Sequence, residues 1–268
     1  MEDILYPSKI ELTPGASQHE AILVAEPFFH GYGTTVGNAL RRALLSSLSG
    51  AAITAVRIKG GQHEFSAIPH VKEDVLEIIL NLKQVRLKSY ADGPVKLTLH
   101  AKGETEVTAA DIKATSDVEI ANPKCHIATL TDKSAEFEME ITVERGRGYV
   151  PTEERSKEKM ELGTIAIDAL FTPVVSVGFR VENVRVGDIT NYDKLLMTIE
   201  TDGTVSPKEA VEHATGVLIN HFQLFQHIGG GLSIAAEADV SSSDEAVAEE
   251  APTEKQKKSK KKAAESEE

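Results

Sequence analysis

Two adjacent arginines, Arg41 and Arg42, are the residues whose type and spacing most directly suggest binding chemistry in this sequence. On a helix they share one face with Asn38, Leu45 and Ser49, because residues three and four positions apart lie next to each other. A guanidinium carries planar donors that match a carboxylate, so an arginine pair beside a leucine suits a protein-binding surface. The same spacing is typical of a solvated helix face, which is the commoner use of surface arginines. Spacing alone leaves both interpretations open.

The sequence contains no complete catalytic or metal-binding motif. His63 and Glu64 begin an H-E-x-x-H pattern, but Ala67 stands where the second histidine ligand is required. His221 and His227 lie six positions apart and face different sides of a predicted helix, so neither is expected to bind metal. We therefore expect no catalytic residue, no metal site and no cofactor in this chain.

The arginine pair lies in the segment 31–50, GYGTTVGNALRRALLSSLSG, which predicts one long helix. Thr34 or Thr35 is expected to cap its start, and Gly50 its end. Gly31, Gly33 and Gly37 miss the spacing of a dinucleotide-binding loop by one residue, so turns and packing are their expected roles, with Gly37 at a tight helix crossing. The apolar stripe expected to be buried is Val36, Leu40, Ala43, Leu44, Ser47 and Leu48.

The middle of the chain predicts a mixture of strands and one helix. The segment 71–83 has helical periodicity, with a buried stripe at Val71, Val75, Ile78, Ile79 and Leu82, and with Lys72, Glu73, Asp74 and Glu77 outward. Alternating residues predict strands at 95–100 and 136–143, each with one face in water. Later, the alternation of Val177, Phe179 and Val181 changes phase at Val184 and Val186, which predicts a bulge near Glu182 and Asn183.

A second long helix is predicted at residues 207–225. Ser206 is the expected cap, Pro207 the first helical residue and Glu209 the partner in a capping box. Two adjacent stripes are apolar, and their members are Ala210, Val211, Ala214, Thr215, Val217, Leu218, His221, Phe222 and Phe225. One sheet cannot cover so wide an arc, so a second copy of the chain is the expected partner.

Composition sets broad limits on function. The 268 residues suffice for two domains and a tail, and a hydrophobic content of 41% supports a sizeable core. A formal net charge of -13 argues against a dedicated DNA-binding protein. The single cysteine, Cys125, suits a reducing compartment and is expected to be buried among apolar residues. Neither a membrane-spanning run nor a secretory leader is expected.

We predict an α+β fold in which a sheet-and-helix unit, residues 1–49 and 174–230, is interrupted by a mixed α/β unit, residues 50–173. Residues 231–268 lack any core-forming period and include the basic run KQKKSKKK, so we expect a disordered charged tail.

Several spaced blocks resemble the amino-terminal region of the alpha subunit of bacterial-type DNA-directed RNA polymerase. The strongest is GYGTTVGNALRRALLSS, and it is followed in order by HEFS (63–66), VKEDVLEIILNLK (71–83), VTAADI (107–112), RGRGYVP (145–151) and NYDKLLMTIETDGTVSPKEA (191–210). Together these blocks cover about residues 1–230, which makes them far more specific than one short motif.

The resemblance implies a function in transcription as a homodimeric scaffold of a nucleotidyltransferase that binds the beta subunit and then the beta-prime subunit. By matching position it implies a discontinuous dimerisation domain, an insert domain at 50–173, and a partner-binding set of Arg41, Arg42, Leu45, Lys83, Thr108 and Asp111. The two long helices are then expected to form the dimer interface through Val36, Leu40, Leu44, Leu48, Val211, Leu218, Phe222 and Phe225.

The same resemblance sets expectations about chemistry and location. No clustered aspartates could hold the magnesium ions of nucleotidyl transfer, so we expect that metal in another subunit. Relatives commonly continue into a compact helical domain that binds promoter DNA. Nothing after Phe225 has the periodicity that predicts such a domain, so DNA contact is expected only through the assembled enzyme. The expected location is the bacterial cytoplasm or the plastid stroma. A free-standing dimeric adaptor is the alternative from another functional class.

Overall fold

The computed structural model of the chain describes residues 4–61, 63–155, 161 and 163–226. Three α-helices lie in these residues, with bounds α1 (Tyr32–Ser46), α2 (Val75–Leu82) and α3 (Pro207–Phe225). The strands are β1 (Lys9–Pro14), β2 (Glu20–Phe28), β3 (Ser49–Ile58), β4 (Leu87–Ser89), β5 (Val95–Lys102), β6 (Thr105–Thr108), β7 (Ile112–Lys113), β8 (Val118–Ile120), β9 (His126–Leu130), β10 (Glu136–Arg147), β11 (Tyr149–Val150), β12 (Thr164–Ala166), β13 (Ala169–Leu170), β14 (Val174–Val186) and β15 (Ile189–Thr201).

The first and last strands of the chain form one antiparallel sheet, in the order β1-β2-β15-β14. Helices α1 and α3 cover one face of it, because their small and apolar residues pack against the inward residues of β2 and β15. The buried members of this cluster include Leu23, Leu44, Met197, Ile199, Ala210 and Ala214. We call this the helix-covered sheet.

The intervening chain forms a larger sheet in the order β7-β5-β10-β3-β4-β8, with β12 also paired to β3. Helix α2 and the inward residues of these strands enclose a separate core, which includes Val56, Ile78, Leu82, Leu99, Phe137 and Ile141. Two further strand pairs, β11 with β13 and β6 with β9, complete this part of the fold. The predicted α+β class is confirmed.

Helix α1 begins before the predicted cap at Thr34 or Thr35 and ends before the predicted end at Gly50. Gly31 is its N-cap residue and no side chain caps the helix from that position; Thr35 instead donates its hydroxyl to the Gly31 carbonyl at 3.2 Å. The prediction that Thr34 or Thr35 is the cap is therefore wrong. The helix ends at Ser46, and Gly50 lies in β3, where a Cβ atom would overlap the carbonyl oxygen of Phe171. Gly50 is thus a glycine for close strand packing, which corrects its predicted role as a helix end.

Gly37 permits close contact between α1 and the helix-covered sheet. A Cβ atom there would lie 2.8 Å from Cδ2 of Phe179 and 3.0 Å from Cδ1 of Leu195. These residues belong to β14 and β15, so the predicted helix crossing is wrong and the tight packing is of a helix on strands.

Helix α2 begins at Val75, four residues later than predicted. Asp74 is its N-cap, and its carboxylate accepts a hydrogen bond of 2.7 Å from the amide of Glu77. The predicted apolar stripe is buried from Val75 onward, whereas Val71 lies before the helix and pairs with Leu130. Glu73 is buried, which contradicts its predicted outward position, because helical periodicity does not apply before the N-cap.

The long hairpin of β14 and β15 has two irregularities, one earlier than predicted, between Val174 and Ser176, and one later. Glu182 and Asn183 pair regularly with Lys194 and Asp193, and the register shifts between Val184 and Val186, beside the hairpin turn. Helix α3 has the predicted capping box, in which Ser206 and Glu209 exchange hydrogen bonds. Cys125 is half-buried rather than fully buried, and this burial raises the pKa of its thiol. His227 and the predicted tail at 231–268 lie outside the described residues.

Candidate subunit-binding surfaces

Helix α1 presents its arginine pair to solvent. Arg41 and Arg42 are exposed, and neither guanidinium has an ion-pair or hydrogen-bond partner among the residues that the structure describes. Leu45 is half-buried and packs against the core under the helix, so only part of its side chain is accessible. Ion pairs between exposed side chains contribute little to stability, so the fold does not require a carboxylate partner for either arginine. The face can therefore accept carboxylates from another molecule.

A buried carboxylate fixes the start of this helix on the sheet. Asp193 of β15 is 4% exposed, and its Oδ2 accepts hydrogen bonds from the amides of Gly31 at 2.9 Å and Gly33 at 3.1 Å. These amides lie at the positive end of the helix dipole, where an anion is stabilised. His30 approaches the other carboxylate oxygen, with its Nδ1 at 3.9 Å from Oδ1.

The cap on α1 was missed by the sequence analysis, because it comes from a residue 160 or more positions away. The local signal is an acidic residue at an inward position of a strand whose next three inward residues, Leu195, Met197 and Ile199, are apolar.

Helix α3 leaves large apolar side chains in water near its end. Phe222 and Phe225 are 61% and 66% exposed, and Ile219 and Leu224 are each about half exposed. Earlier in the same helix Ala210 and Ala214 are fully buried, and Val211 and Leu218 are half-buried against the core shared with α1. The apolar arc is thus covered by the chain itself at the start of α3 and uncovered at its end.

The residues predicted to form a dimer interface differ in the surface they can offer. Phe222 and Phe225 are exposed, while Val36, Leu40, Val211 and Leu218 are half-buried. Leu44 is fully buried and Leu48 is 5% exposed, so both contribute to the chain's own core instead of to contact with another molecule. We therefore remove Leu44 and Leu48 from the expected interface, since their side chains have no surface left to bury.

Lys83 follows α2 directly and forms an ion pair with Asp168, with Nζ at 3.0 Å from Oδ2. The other oxygen of Asp168 accepts a hydrogen bond of 3.0 Å from the amide of Thr152. The Thr152 hydrogen bond and then Lys83 hold the pKa of Asp168 below its usual value. Lys83 is thus held at the protein surface by a carboxylate that stays ionised. Beside it, the exposed Tyr149 and Leu170 face each other across β11 and β13.

Thr108 and Asp111 form a capped single turn between β6 and β7. The carboxylate of Asp111 accepts hydrogen bonds from the Thr108 amide at 2.8 Å and from its hydroxyl at 3.2 Å. Asp111 is exposed and Thr108 half-buried. Both side chains therefore use part of their hydrogen-bonding capacity to stabilise the turn. A partner would contact the remaining exposed surface of the turn.

The histidines considered for metal binding lie in other environments. The Nδ1 atom of His63 is 3.2 Å from the Ser66 hydroxyl in a loop, and His221 is exposed with its Nδ1 2.7 Å from the carbonyl of Val217. In the described part of the chain, no group of three or more His, Cys, Asp or Glu residues could hold a metal ion. Nor does any helix within that part have the length and apolar character to cross a membrane.

Comparison with known proteins identifies two kinds of match. Residues 56–172 match the family model described as the RNA polymerase Rpb3/RpoA insert domain. Over 223 residues the chain is 52% identical to the DNA-directed RNA polymerase subunit alpha of Roseiflexus sp. (strain RS-1), covering 83% of this chain and 68% of that relative. The subunit alpha of Symbiobacterium thermophilum is 50% identical over 216 residues, covering 81% of this chain and 66% of the relative.

Proposed function

This chain belongs to the family of DNA-directed RNA polymerase alpha subunits, and we propose that it works as a homodimeric scaffold on which the beta and then the beta-prime subunits assemble. Three surfaces support the proposal: the exposed end of α3 for a second copy, the arginine face of α1 for beta, and the Lys83 and Thr108–Asp111 surfaces for the large subunits.

The exposed apolar end of α3 is the observation that carries the proposal. Phe222 and Phe225 are each more than half exposed, and Ile219 adds a further apolar side chain on the same helix. Full burial of one phenylalanine side chain contributes about 1.5–3 kcal/mol to the stability of the complex that buries it. In a two-fold dimer each surface contributes twice, so covering both phenylalanines in both copies involves four aromatic side chains. A second copy is an economical partner because it supplies a complementary apolar surface without another gene product.

The dimer is tested by size exclusion coupled to light scattering at micromolar concentration. The wild-type chain is expected to elute with the mass of two chains, and the double variant Phe222→Ser, Phe225→Ser with the mass of one. Tyr90→Ser is the matched control, because Tyr90 is an aromatic residue of similar exposure in the part of the chain that matches the insert-domain model. A wild-type monomer, or a double variant that remains dimeric, would reject the interface.

The arginine face is proposed to bind beta because its two guanidinium groups have no partner in the described chain and lie beside the half-buried Leu45. A large partner that supplies carboxylates or carbonyl oxygens would form charge-assisted, forked hydrogen bonds there. Lys83, Thr108 and Asp111 are proposed as further contacts for the large subunits. Capture of purified beta and beta-prime by immobilised dimer tests the order of assembly: beta is expected to bind alone, and beta-prime only after beta.

We propose that the catalytic magnesium is held by another subunit and that DNA is contacted only through the assembled enzyme. The sequence supports this because it offers no clustered aspartates and carries a net charge of -13. The purified dimer is expected to synthesise no RNA, and to support synthesis when the large subunits are added. RNA synthesis by the purified dimer alone would contradict the scaffold role. The expected site of action is the bacterial cytoplasm or the plastid stroma.

A further inference from the structure

Glu73 is a buried carboxylate that none of the surfaces above uses. Its side chain is 10% exposed and stands just before α2. One oxygen accepts a hydrogen bond of 2.6 Å from the amide of Thr129, and the other accepts one of 2.9 Å from the Thr129 hydroxyl. A buried carboxylate is costly unless its oxygens are satisfied, so this arrangement fixes the start of α2 to β9.

His126 continues the connection from Glu73 toward β6. Its Nε2 lies 3.2 Å from the second oxygen of Glu73, and its Nδ1 lies 3.0 Å from the carboxylate of Glu106 on β6. In the β6–β9 pair, His126 is directly opposite Thr108. The next amide, that of Ala109, donates to the carbonyl of Cys125 at 2.8 Å. The Thr108–Asp111 turn is therefore attached to the segment that Glu73 holds.

Strand β9 is also attached to the end of α2 and to the residues that precede this helix. The side-chain amide of Asn81 donates to the carbonyl of Ile127 at 3.0 Å, and the amide of Lys72 donates to the carbonyl of Thr129 at 3.0 Å. Lys83 comes two residues after Asn81, immediately beyond the helix. Strand β9 thus connects the helix that ends at Lys83 with the turn that contains Thr108 and Asp111.

We propose that Glu73 and His126 are positioning residues that hold Lys83 and the Thr108–Asp111 turn as one composite surface for a large polymerase subunit. The inference rests on the function proposed above, because it assumes that these two surfaces meet the same partner. A surface that is already held in its bound geometry loses less conformational freedom on binding. Lys83 and the Thr108–Asp111 turn can then contact one partner at the same time. Burial acts to raise the pKa of Glu73, but the hydrogen bonds from Thr129 and His126 outweigh it and lower the pKa, so the connection remains charged at neutral pH.

Amide hydrogen exchange of the dimer tests the positioning directly. Glu73→Ala removes every contact, whereas Glu73→Gln keeps an oxygen that can accept from Thr129. Loss of a buried charged hydrogen bond is expected to accelerate exchange of Thr129 and residues 107–112 about tenfold or more in Glu73→Ala, and less in Glu73→Gln. Glu104→Ala, at an exposed residue beside β6, is the control and is expected to change nothing. If Glu73→Ala does not fold, His126→Gln tests the connection to β6, and faster exchange is then expected at residues 107–112 and not at Thr129, because Glu73 still accepts from Thr129. Unchanged exchange in a folded variant would overturn the positioning role.

Affinity for the purified large subunits tests the composite surface. Lys83→Ala and Ala110→Arg, the second at an exposed residue of the turn, are each expected to weaken binding of the same subunit. The effect of Ala110→Arg is expected to be at least threefold smaller in a Glu73→Ala background, because the turn is then no longer held for the partner. Equal effects in both backgrounds would overturn the composite surface. If neither single variant weakens binding while exchange accelerates as expected, the subunit-binding role of this surface fails and only the positioning of the turn is supported.

Discussion

Substitution of Asp193 tests whether a residue distant in sequence anchors the start of α1. Its carboxylate accepts from the amides of Gly31 and Gly33 and is almost completely buried. Asp193→Ala leaves both amides without that acceptor. The amide of the exposed Gly31 can be rehydrated, but Gly33 is buried, so its donor remains unsatisfied.

The magnitude follows from two contributions. Loss of a helix N-cap costs about 0.5–2 kcal/mol. A buried donor without a partner costs about 1–3 kcal/mol. The two overlap in part, so we expect Asp193→Ala to reduce the free energy of unfolding by about 2–4 kcal/mol. Asp193→Asn keeps one acceptor oxygen and loses only the charge, so its cost should be smaller, on the order of 1 kcal/mol.

The assay is urea unfolding followed by circular dichroism at one fixed protein concentration, because the dimer proposed above would make stability depend on concentration. Asp188→Ala is the matched control: this residue lies in the turn of the same hairpin, and its carboxylate is fully exposed. The order of stability should be wild type and Asp188→Ala together, then Asp193→Asn, then Asp193→Ala. A free energy for Asp193→Ala within about 0.5 kcal/mol of wild type, the range of ordinary surface substitutions, would refute the anchoring argument.

Three further predictions concern packing, capping and pH. Gly37→Ala should destabilise the fold by about 1–3 kcal/mol, because the added Cβ would press on Phe179. Gly216→Ala should instead stabilise it by up to about 1 kcal/mol, because no neighbouring group lies within 4 Å of the added Cβ. Thermal unfolding compares the two variants, and equal effects would contradict the packing argument. Ser206→Ala should cost about 0.5–2 kcal/mol in urea unfolding through loss of the capping box, and a neutral effect would show that the box contributes little. The pKa of Glu73 is lower in the folded state than in the unfolded chain, where it is about 4.3. The ionised side chain therefore stabilises the fold at pH values above the unfolded pKa, and this stabilisation is lost as the pH falls through the folded pKa. The stability difference between wild type and Glu73→Gln should therefore shrink as urea titrations move from pH 7 to pH 3, and a constant difference would contradict the assignment.

Features set by neighbouring residues were predictable from the sequence. The capping box of α3 depends on Ser206, Pro207 and Glu209, which are adjacent in the chain, and the structure contains it as predicted. The alternation of apolar and polar residues in β5 and β10 likewise identifies their buried faces, because successive side chains of a strand point to opposite sides of the sheet. In α1 the helical period of 3.6 residues places Arg41 and Arg42 on the face opposite the apolar stripe, and both are exposed.

Features set by distant residues were not predictable. The true cap of α1 is Asp193, and nothing near Gly31 indicates it. Gly50 resembles a helix end locally, but strand pairing and the Phe171 carbonyl determine its position. Glu73 has helical spacing with its neighbours, yet the helix begins only at Val75, after the N-cap Asp74, and Thr129 holds Glu73 inside. In each case a tertiary contact overrides the local pattern.

The central claim, that the exposed arginine face of α1 binds beta, is tested most directly by the affinity of purified beta for wild-type, Arg42→Ala and Arg42→Lys dimers. Truncating a buried interface arginine leaves its partner unpaired and costs roughly 2–5 kcal/mol, which weakens binding about thirtyfold or more. Lysine should restore only part of the affinity, because an ammonium cannot form the planar fork. Arg185→Ala, at an exposed arginine of the β14–β15 hairpin, is the control and should bind beta as the wild type does. Unchanged affinity of a folded, dimeric Arg42→Ala variant would contradict the assignment of this face to beta.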